Sequence, residues 1–342
     1  MDRTLKIKAL PLLFSVLCLL VLASCQGKES LYKKSKLAMD TIVSVTVVST
    51  SAKDSEASID SSLAEIERLG KLMNFFSSDS ELTLLNNSAG IKPVRVSKET
   101  FEVIEKAVYV SEKTGGAFDV SVGPVDSLWD FHTKVLPPQN AIKAKLPLVG
   151  YRNIVLDKAN STVFLKKKGM KLDLGGIVKG YAADKAVEVL KGRGIQSGIV
   201  AVGGEIKAFG RKPDGGLWKV GIKNPRQSGN DDEVFATIPL SDLAVSTAGD
   251  YEKFFIQDGT RYHHILDPKT GYPARGCRSV SVITKDGVFT DAFSTGIFVL
   301  GPEKGLETVK KLGLDAVIVD KDGEILTTDG LKGKLEIKGN RT

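Results

Sequence analysis

From Ile195 to Lys285 the chain is a succession of short β-branched or alternating runs with only turns between them. The pattern predicts strands over 195–209, 217–223, 234–239, 243–246, 252–257, 261–266 and 279–285. Neighbouring strands joined by tight turns pair antiparallel, because a parallel pair needs a crossover of a dozen or more residues. Helices flank this block. Ile59, Leu63, Ile66, Leu69 and Leu72 recur at spacings of three and four, which predicts a helix over 56–74. Phe101, Ile104, Ala107 and Val108 predict another over 98–114, stopped by Gly115-Gly116. Residues 177–191, 291–300 and 302–312 read as helices; 39–49, 153–157, 161–166, 315–320 and 323–327 read as strands. Residues 117–150 read as irregular, broken by Gly123-Pro124, Pro137-Pro138 and Pro147. The class is α+β, with largely antiparallel sheets packed with helices.

A chain of 342 residues, 42% hydrophobic, can bury a core and is not a disordered polymer. Its formal charge is +7, but the lysines are dispersed rather than interleaved with aromatics, which argues against nucleic-acid binding. Part of the excess is N-terminal. Arg3, Lys6 and Lys8 precede an apolar run from Ala9 to Leu22, and Leu22-Ala23-Ser24-Cys25 follows. A short apolar run between a basic head and small residues is a secretory signal rather than a membrane span. Residues 1–24 are therefore read as a signal peptide and Cys25, placed as in a bacterial lipobox, as the lipidated first residue of the exported protein. Residues 25–35, polar and lysine-rich, read as a tether, 36–330 as the folded domain, and 331–342 as a charged tail. With Cys18 lost and Cys25 acylated, Cys277 has no partner, so neither an intramolecular disulfide nor a cysteine zinc site is expected.

Four segments carry candidate chemistry. In Asp173-Leu174-Gly175-Gly176-Ile177-Val178-Lys179-Gly180-Tyr181-Ala182-Ala183-Asp184-Lys185 a glycine pair precedes a helix N-terminus, whose free N–H groups suit a phosphate. The same pair serves equally as a structural turn. Val202-Gly203-Gly204-Glu205 holds a second glycine pair. His263 and His264 stand before Asp267-Pro268-Lys269-Thr270-Gly271, and strand alternation points them to opposite faces. They are a surface pair, or one of them faces a site. Asp291 and Thr295, four apart, share a helical face and form a hard-oxygen pair suited to Mg²⁺, unless Asp291 is simply the helix cap.

These segments, with Met39-Asp40-Thr41, Ser80-Glu81-Leu82, Asn86, Gly116-Ala117-Phe118-Asp119 and Gly249-Asp250-Tyr251, resemble the ordered signature of the ApbE family, the FAD:protein FMN transferases, over about 36–330. The resemblance implies an FAD site in a cleft between two intimately packed subdomains. It implies that Met39, Phe76, Ala117, Phe118, Asp119, Gly175, Tyr181 and Leu266 line that site, with phenylalanine at 76 where many members have tyrosine. It implies a Mg²⁺ shell from the Val178 carbonyl, Asp291, the Ser294 carbonyl and Thr295, with valine at 178 where alanine is usual.

The implied reaction is Mg²⁺-dependent transfer of FMN from FAD to a Thr or Ser hydroxyl of a membrane redox-complex subunit, with release of AMP. The catalytic candidates are His264, Asp267 and Asp291. The protein is then expected to be exported and lipid-anchored to a bacterial membrane, facing the periplasm or the cell exterior. Hydrolysis of FAD at the same site and non-catalytic flavin binding are the alternatives, since the motifs do not distinguish which hydroxyl attacks.

Overall fold

The computed structural model describes residues 28–226 and 233–338. The signal peptide, Cys25 and the last four residues of the tail lie outside the described residues. The chain opens with strands β1 (Ser30–Ala38) and β2 (Thr41–Ser49), then helices α1 (Ala52–Leu72) and α2 (Glu81–Asn87), strand β3 (Val94–Arg95) and helix α3 (Lys98–Lys113). Short helices α4 (Gly123–Asp126) and α5 (Gln139–Lys145) precede β4 (Ile154–Asp157), β5 (Thr162–Leu165) and helix α6 (Val178–Gly192). The strand-rich part follows: β6 (Gly198–Val202), β7 (Glu205–Phe209), β8 (Trp218–Lys223), β9 (Val234–Leu240), β10 (Leu243–Gly249), β11 (Phe254–Gln257), β12 (Thr260–His263) and β13 (Cys277–Thr284). Helices α7 (Gly287–Leu300) and α8 (Pro302–Leu312) and strands β14 (Asp315–Asp320), β15 (Ile325–Thr327) and β16 (Glu336–Ile337) complete it.

Eight strands form one sheet in the order β1-β2-β6-β7-β10-β13-β14-β15, every neighbouring pair antiparallel. Alternation gives this sheet two apolar faces. Val43, Val45, Val47, Val200, Val202, Val280 and Val282 join the core under helices α1, α3, α6 and α7. Val48, Ala208, Val245, Ile283, Val317 and Val319 face a second core closed by Trp218, Val220, Phe235 and Ile238 of the small sheet β16-β9-β8. Val125, Trp129, Ile142, Phe255 and Leu266 make a third, smaller core.

Three elements differ from the sequence reading. Residues 30–38, read mostly as tether, are edge strand β1, paired with β2 along its whole length. Its lysines bind helix α1 across the edge: Lys34 pairs with Asp60 at 2.8 Å and Glu56 at 3.0 Å, and Lys36 with Glu67 at 2.6 Å. Lysine on an exposed edge also discourages further strand addition. In the charged tail, Glu336 and Ile337 pair with Thr237 and Ala236. The segment 117–150 contains two short helices, α4 with Pro124 in its first turn. Among the described residues Cys277 is a buried free cysteine, and burial pushes its thiol up to about 12.

Candidate active site

The site is organised by how helix α7 begins. The Asp184 carboxylate, from α6, accepts the N–H groups of Gly287 and Val288 at 2.8 and 3.0 Å. It therefore caps α7 from a neighbouring helix, and Lys207 holds it at 2.9 Å. Because α7 starts at Gly287, Asp291 falls in its second turn, which excludes the capping role for that carboxylate. Asp291 Oδ2 instead accepts the N–H of Gly180 at 3.0 Å, and the Lys179 N–H also reaches this carboxylate. Gly180 lies in the first turn of α6, where N–H groups lack intrahelical partners. The contact needs glycine: a Cβ at 180 would sit 2.0 Å from the Gly287 carbonyl oxygen and 2.9 Å from Asp291 Cβ.

One turn further along α7, Thr295 is half-buried beside the Gly175-Gly176 turn; a Cβ on Gly176 would lie 3.6 Å from Thr295 Oγ1 and 3.3 Å from the Phe118 ring. Gly296 leaves the space that Phe118 and Thr114 occupy. Ala117, Phe118, Gly175, Val178, Asp291, Ser294 and Thr295 are thus brought to the junction of α6, α7 and the loop after α3. Asp119 is buried there too, but its carboxylate is committed to the loop. Oδ1 accepts the Ser121 N–H and hydroxyl at 2.9 and 2.6 Å, and Oδ2 the Tyr151 N–H at 2.8 Å. Burial raises its pKa, and those bonds oppose the rise.

Glu205, to which the sequence reading assigned no role, belongs to the same cluster. It is 4% exposed and stands against Asp291, which is 5% exposed. Glu205 Oε1 accepts the Ser246 hydroxyl, Ser246 Oγ is 3.0 Å from Ser294 Oγ, and the Ser294 hydroxyl donates to the Asp291 carbonyl at 2.9 Å. Glu205 Oε2 receives no hydrogen bond from any amide, hydroxyl or ammonium group, and the Glu205 and Asp291 carboxyl groups lie within hydrogen-bond reach of each other. Burial raises the pKa of both carboxyl groups, and the Asp291 charge pushes Glu205 further up. Among the described residues no three His, Cys, Asp or Glu side chains converge as a metal cluster. A metal at Asp291 would therefore be held by carboxylate, hydroxyl and carbonyl oxygens, the donor set of Mg²⁺. The two facing carboxylates and the orphaned Oε2 are what a divalent cation satisfies, so the residues fit the ion.

β12 ends at His263, so His264 lies just past the strand, and the two histidines are held differently. His263 is buried and committed: Nε2 lies 2.8 Å from the Ala274 carbonyl, and Nδ1 accepts the Ile265 N–H at 3.3 Å. His264 Nδ1 is buried without a partner, while its backbone N–H donates to the Lys253 carbonyl at 3.0 Å. Burial, with His263, Lys179 and Lys253 nearby, pulls the His264 imidazole down to about 3, so the ring is neutral. A second carboxyl pair, absent from the sequence reading, adjoins the glycine turn. Asp173 Oδ1 accepts the Gly175 N–H at 2.7 Å and shares a side-chain hydrogen bond with Asp126. Burial first, then the Asp173 charge, raises the Asp126 pKa. Asp126 ends a four-residue helix in proline-broken sequence, so no periodicity marked it.

The remaining predicted residues serve different purposes. Met39 and Asp40, both at positive φ (52° and 56°), form the two-residue turn between β1 and β2, and Met39 packs over Gly70. Phe76 is 80% exposed, its ring edge-on to Phe75 at 5.2 Å, which leaves a flat apolar face open to solvent. Tyr181 is fully buried, and its hydroxyl donates to Glu102 at 2.9 Å. Leu266 is buried in the third core and bridges to Pro273. The Asp267 carboxylate accepts the Lys269 N–H at 2.9 Å, and its carbonyl accepts from Gly271 at 2.8 Å, so Asp267 shapes the 267–272 turn.

The family model described as "ApbE family" matches residues 39–318. The "FAD:protein FMN transferase" of Treponema pallidum (strain Nichols) is 32% identical over 94% of each chain. The protein of the same name from Klebsiella pneumoniae (strain 342) is 34% identical over 76% of this chain and 81% of its own. Among solved structures, the ApbE protein from Thermotoga maritima superposes with a TM-score of 0.81 at 35% identity, covering 89% of this chain and 99% of that one. The apo flavinyl transferase ApbE of Pseudomonas stutzeri gives 0.79 at 29% identity, covering 90% of this chain and 98% of that one. On the match to the family model, these identities and the shared fold, the chain belongs to the ApbE family.

Proposed function

We propose that this protein is an FAD:protein FMN transferase. It would move FMN from FAD to a Thr or Ser hydroxyl of a target flavoprotein and release AMP, with Mg²⁺ held at Asp291. Family membership supports the transferase reading. The observation that carries the chemistry is that a hard-oxygen group (Asp291, Thr295, and the carbonyls of Val178 and Ser294) and the half-buried neutral His264, whose Nδ1 is buried without a partner, both lie within reach of the Lys179 charge.

In this reading the acceptor oxygen forms a bond to the FMN phosphorus, the bond from that phosphorus to the AMP oxygen breaks, and the electron pair leaves with AMP. The cation, when bound, would neutralise phosphate charge. The protein's own residues do the rest. The Gly175-Gly176 turn lets a ligand approach the backbone, and the first turn of α6 presents N–H groups beside it. His264 would take the proton of the acceptor hydroxyl, and a bound pyrophosphate beside it would favour the imidazolium and make the ring a stronger base. The exposed ring of Phe76 offers a stacking face for a planar heterocycle. Asp267 acts by holding the turn next to His264.

The acceptor is proposed to be a membrane redox-complex subunit, and this chain to be exported and held at the membrane by lipid on Cys25. The sequence of residues 1–25 supports that placement. Among the described residues no helix is long and apolar enough to cross a membrane.

The test is full-length protein in detergent with FAD, Mg²⁺ and a candidate acceptor flavoprotein, followed by in-gel flavin fluorescence and an AMP assay of the same tube. A fluorescent acceptor band with matching AMP, both lost in EDTA, is the expected result. AMP without a labelled band, across acceptors bearing Thr or Ser targets, would replace transfer by hydrolysis.

A further inference from the structure

Glu205 is the buried group that the chemistry above leaves without a task. It sits at the start of β7, paired with Ser246 of β10, and alternation turns its side chain to the helix-covered face of the sheet. On that face β7 presents Glu205, Lys207 and Phe209; Lys207 binds Asp184, and Phe209 fills the core. Glu205 alone meets another carboxylate, Asp291. Two buried carboxylates in contact require a proton or a cation between them. Ser246 satisfies Oε1, and Oε2 is left with no donor. Lys179 is the cation whose charge reaches both carboxylates, yet no hydrogen bond joins its ammonium to either one.

We propose that Glu205 is a further carboxylate of the divalent-cation site: Oε2 faces the ion bound at Asp291 and accepts from its bound water, and Ser246 and Ser294 fix its orientation. The inference rests on the reading of Asp291 as the metal carboxylate. Outer carboxylates of this kind orient the ligands and hold ion-bound water, and their loss weakens metal binding by about 10–100-fold. The position also has a second consequence. Without metal, Glu205 destabilises the fold, because a carboxyl group buried against another loses its hydration with no cation to offset that cost.

The experiment titrates Mn²⁺, followed by the EPR signal of the free ion, into the full chain and its Glu205→Gln, Ser246→Ala and Asp291→Asn variants, with thermal unfolding in EDTA alongside. Glu205→Gln is expected to raise the Mn²⁺ dissociation constant at least about tenfold and to raise the unfolding midpoint in EDTA. Ser246→Ala keeps both charges and is expected to weaken Mn²⁺ several-fold, which provides a test should the glutamine variant fail to fold. Unchanged Mn²⁺ affinity in Glu205→Gln, or in Ser246→Ala should that be the variant that folds, with binding lost in Asp291→Asn, overturns the role of Glu205 alone. A parallel fall of Mn²⁺ affinity and EDTA stability in Glu205→Gln makes it a packing residue and overturns the proposal as well. Wild-type Mn²⁺ affinity in Asp291→Asn overturns the metal reading itself.

Discussion

The two faces of the eight-stranded sheet are built from the same strands and do opposite things. Along β10, Val245 enters the core under the small sheet, while its neighbour Ser246 points to the helices and joins Glu205, Ser294 and Asp291. Along β7, Ile206 and Ala208 face the small sheet, while Glu205 and Lys207 face the helices. One face is sealed mainly by hydrocarbon, with its hydroxyls paired, as Thr247 and Ser281 are at 2.7 Å. The other holds, at the same depth, two carboxylates that repel each other and a helix start pinned by a borrowed cap. Burial stabilises the first face directly, by about 1.5–3 kcal/mol per fully buried aliphatic or aromatic side chain. On the second face burial raises the pKa of both carboxyl groups, a cost that the proposed cation would offset.

The largest effect expected from this contrast lies on the apolar face. Phe235, 2% exposed, packs between the small sheet and the large one. Phe235→Ala is expected to destabilise the protein by about 3–5 kcal/mol while FMN transfer per folded molecule stays at the wild-type level. Denaturant unfolding and turnover, each normalised to folded protein, measure the two quantities. A matching loss of turnover in the folded fraction would mean that the faces are mechanically coupled, and the contrast would fail.

Asp291→Asn is the mirror case. Turnover is expected to fall on the order of 10²–10³-fold, as when one preorganised electrostatic contact is lost, and stability in EDTA is expected to hold or rise, because a buried charge disappears. Steady-state AMP release and thermal unfolding in EDTA read both. Wild-type turnover in this variant would remove the metal from Asp291.

The same contrast explains what the sequence disclosed. Helix α3 was legible to within a residue, because Phe101, Ile104 and Ala107 bury one stripe and Ser97 caps it, accepting the Thr100 N–H at 3.2 Å. Apolar periodicity reports burial, so the apolar layers were readable. Strand β1 was not, because between Tyr32 and Ala38, which pack on the core, its inward contacts are ion pairs from Lys34 and Lys36 rather than a hydrophobic alternation. The site was legible where a family motif covers it, as at Gly175 to Tyr181. It was opaque where a polar residue acts only through what the fold places beside it. Glu205 was visible as the residue after a glycine pair, but nothing local shows that β7 and β10 carry it to Asp291.

The borrowed cap gives a smaller and more local test. Asp184→Ala removes the acceptor of two N–H groups at the start of α7 and leaves Lys207 with its bond to the Lys285 carbonyl but without its carboxylate. A stability loss of about 1–2 kcal/mol is expected, as for other lost caps. Because Asp291 is only one turn away, Mn²⁺ affinity is expected to fall with it. Asp184→Asn keeps an acceptor oxygen and is expected to recover most of the stability. Equal loss in both variants would place the effect in the Lys207 ion pair rather than in the cap.

The smallest expected effect concerns pH. Burial and the Asp173 charge hold the Asp126 pKa above the ordinary 3.8, at about 7, with Lys253 the opposing cation. A raised folded-state pKa means that the native protein keeps a proton the unfolded chain has released. Stability from this pair is therefore full below about pH 4 and declines as pH rises toward 7. Asp126→Asn removes that slope. Its unfolding midpoint, measured in EDTA, is expected to match wild type near pH 4 and to exceed it at pH 8, at roughly 2 °C per kcal/mol for a chain of this size. In EDTA the Asp291–Glu205 pair adds a slope of the same sign, so the variant flattens the profile without abolishing it. Saturating Mg²⁺ is expected to remove the remainder, since an ion bound at Asp291 and facing Glu205 stabilises the charged forms of both. A profile that Mg²⁺ leaves unchanged in Asp126→Asn would show that the polar face gains nothing from a cation, and the distinction between the two faces would reduce to packing.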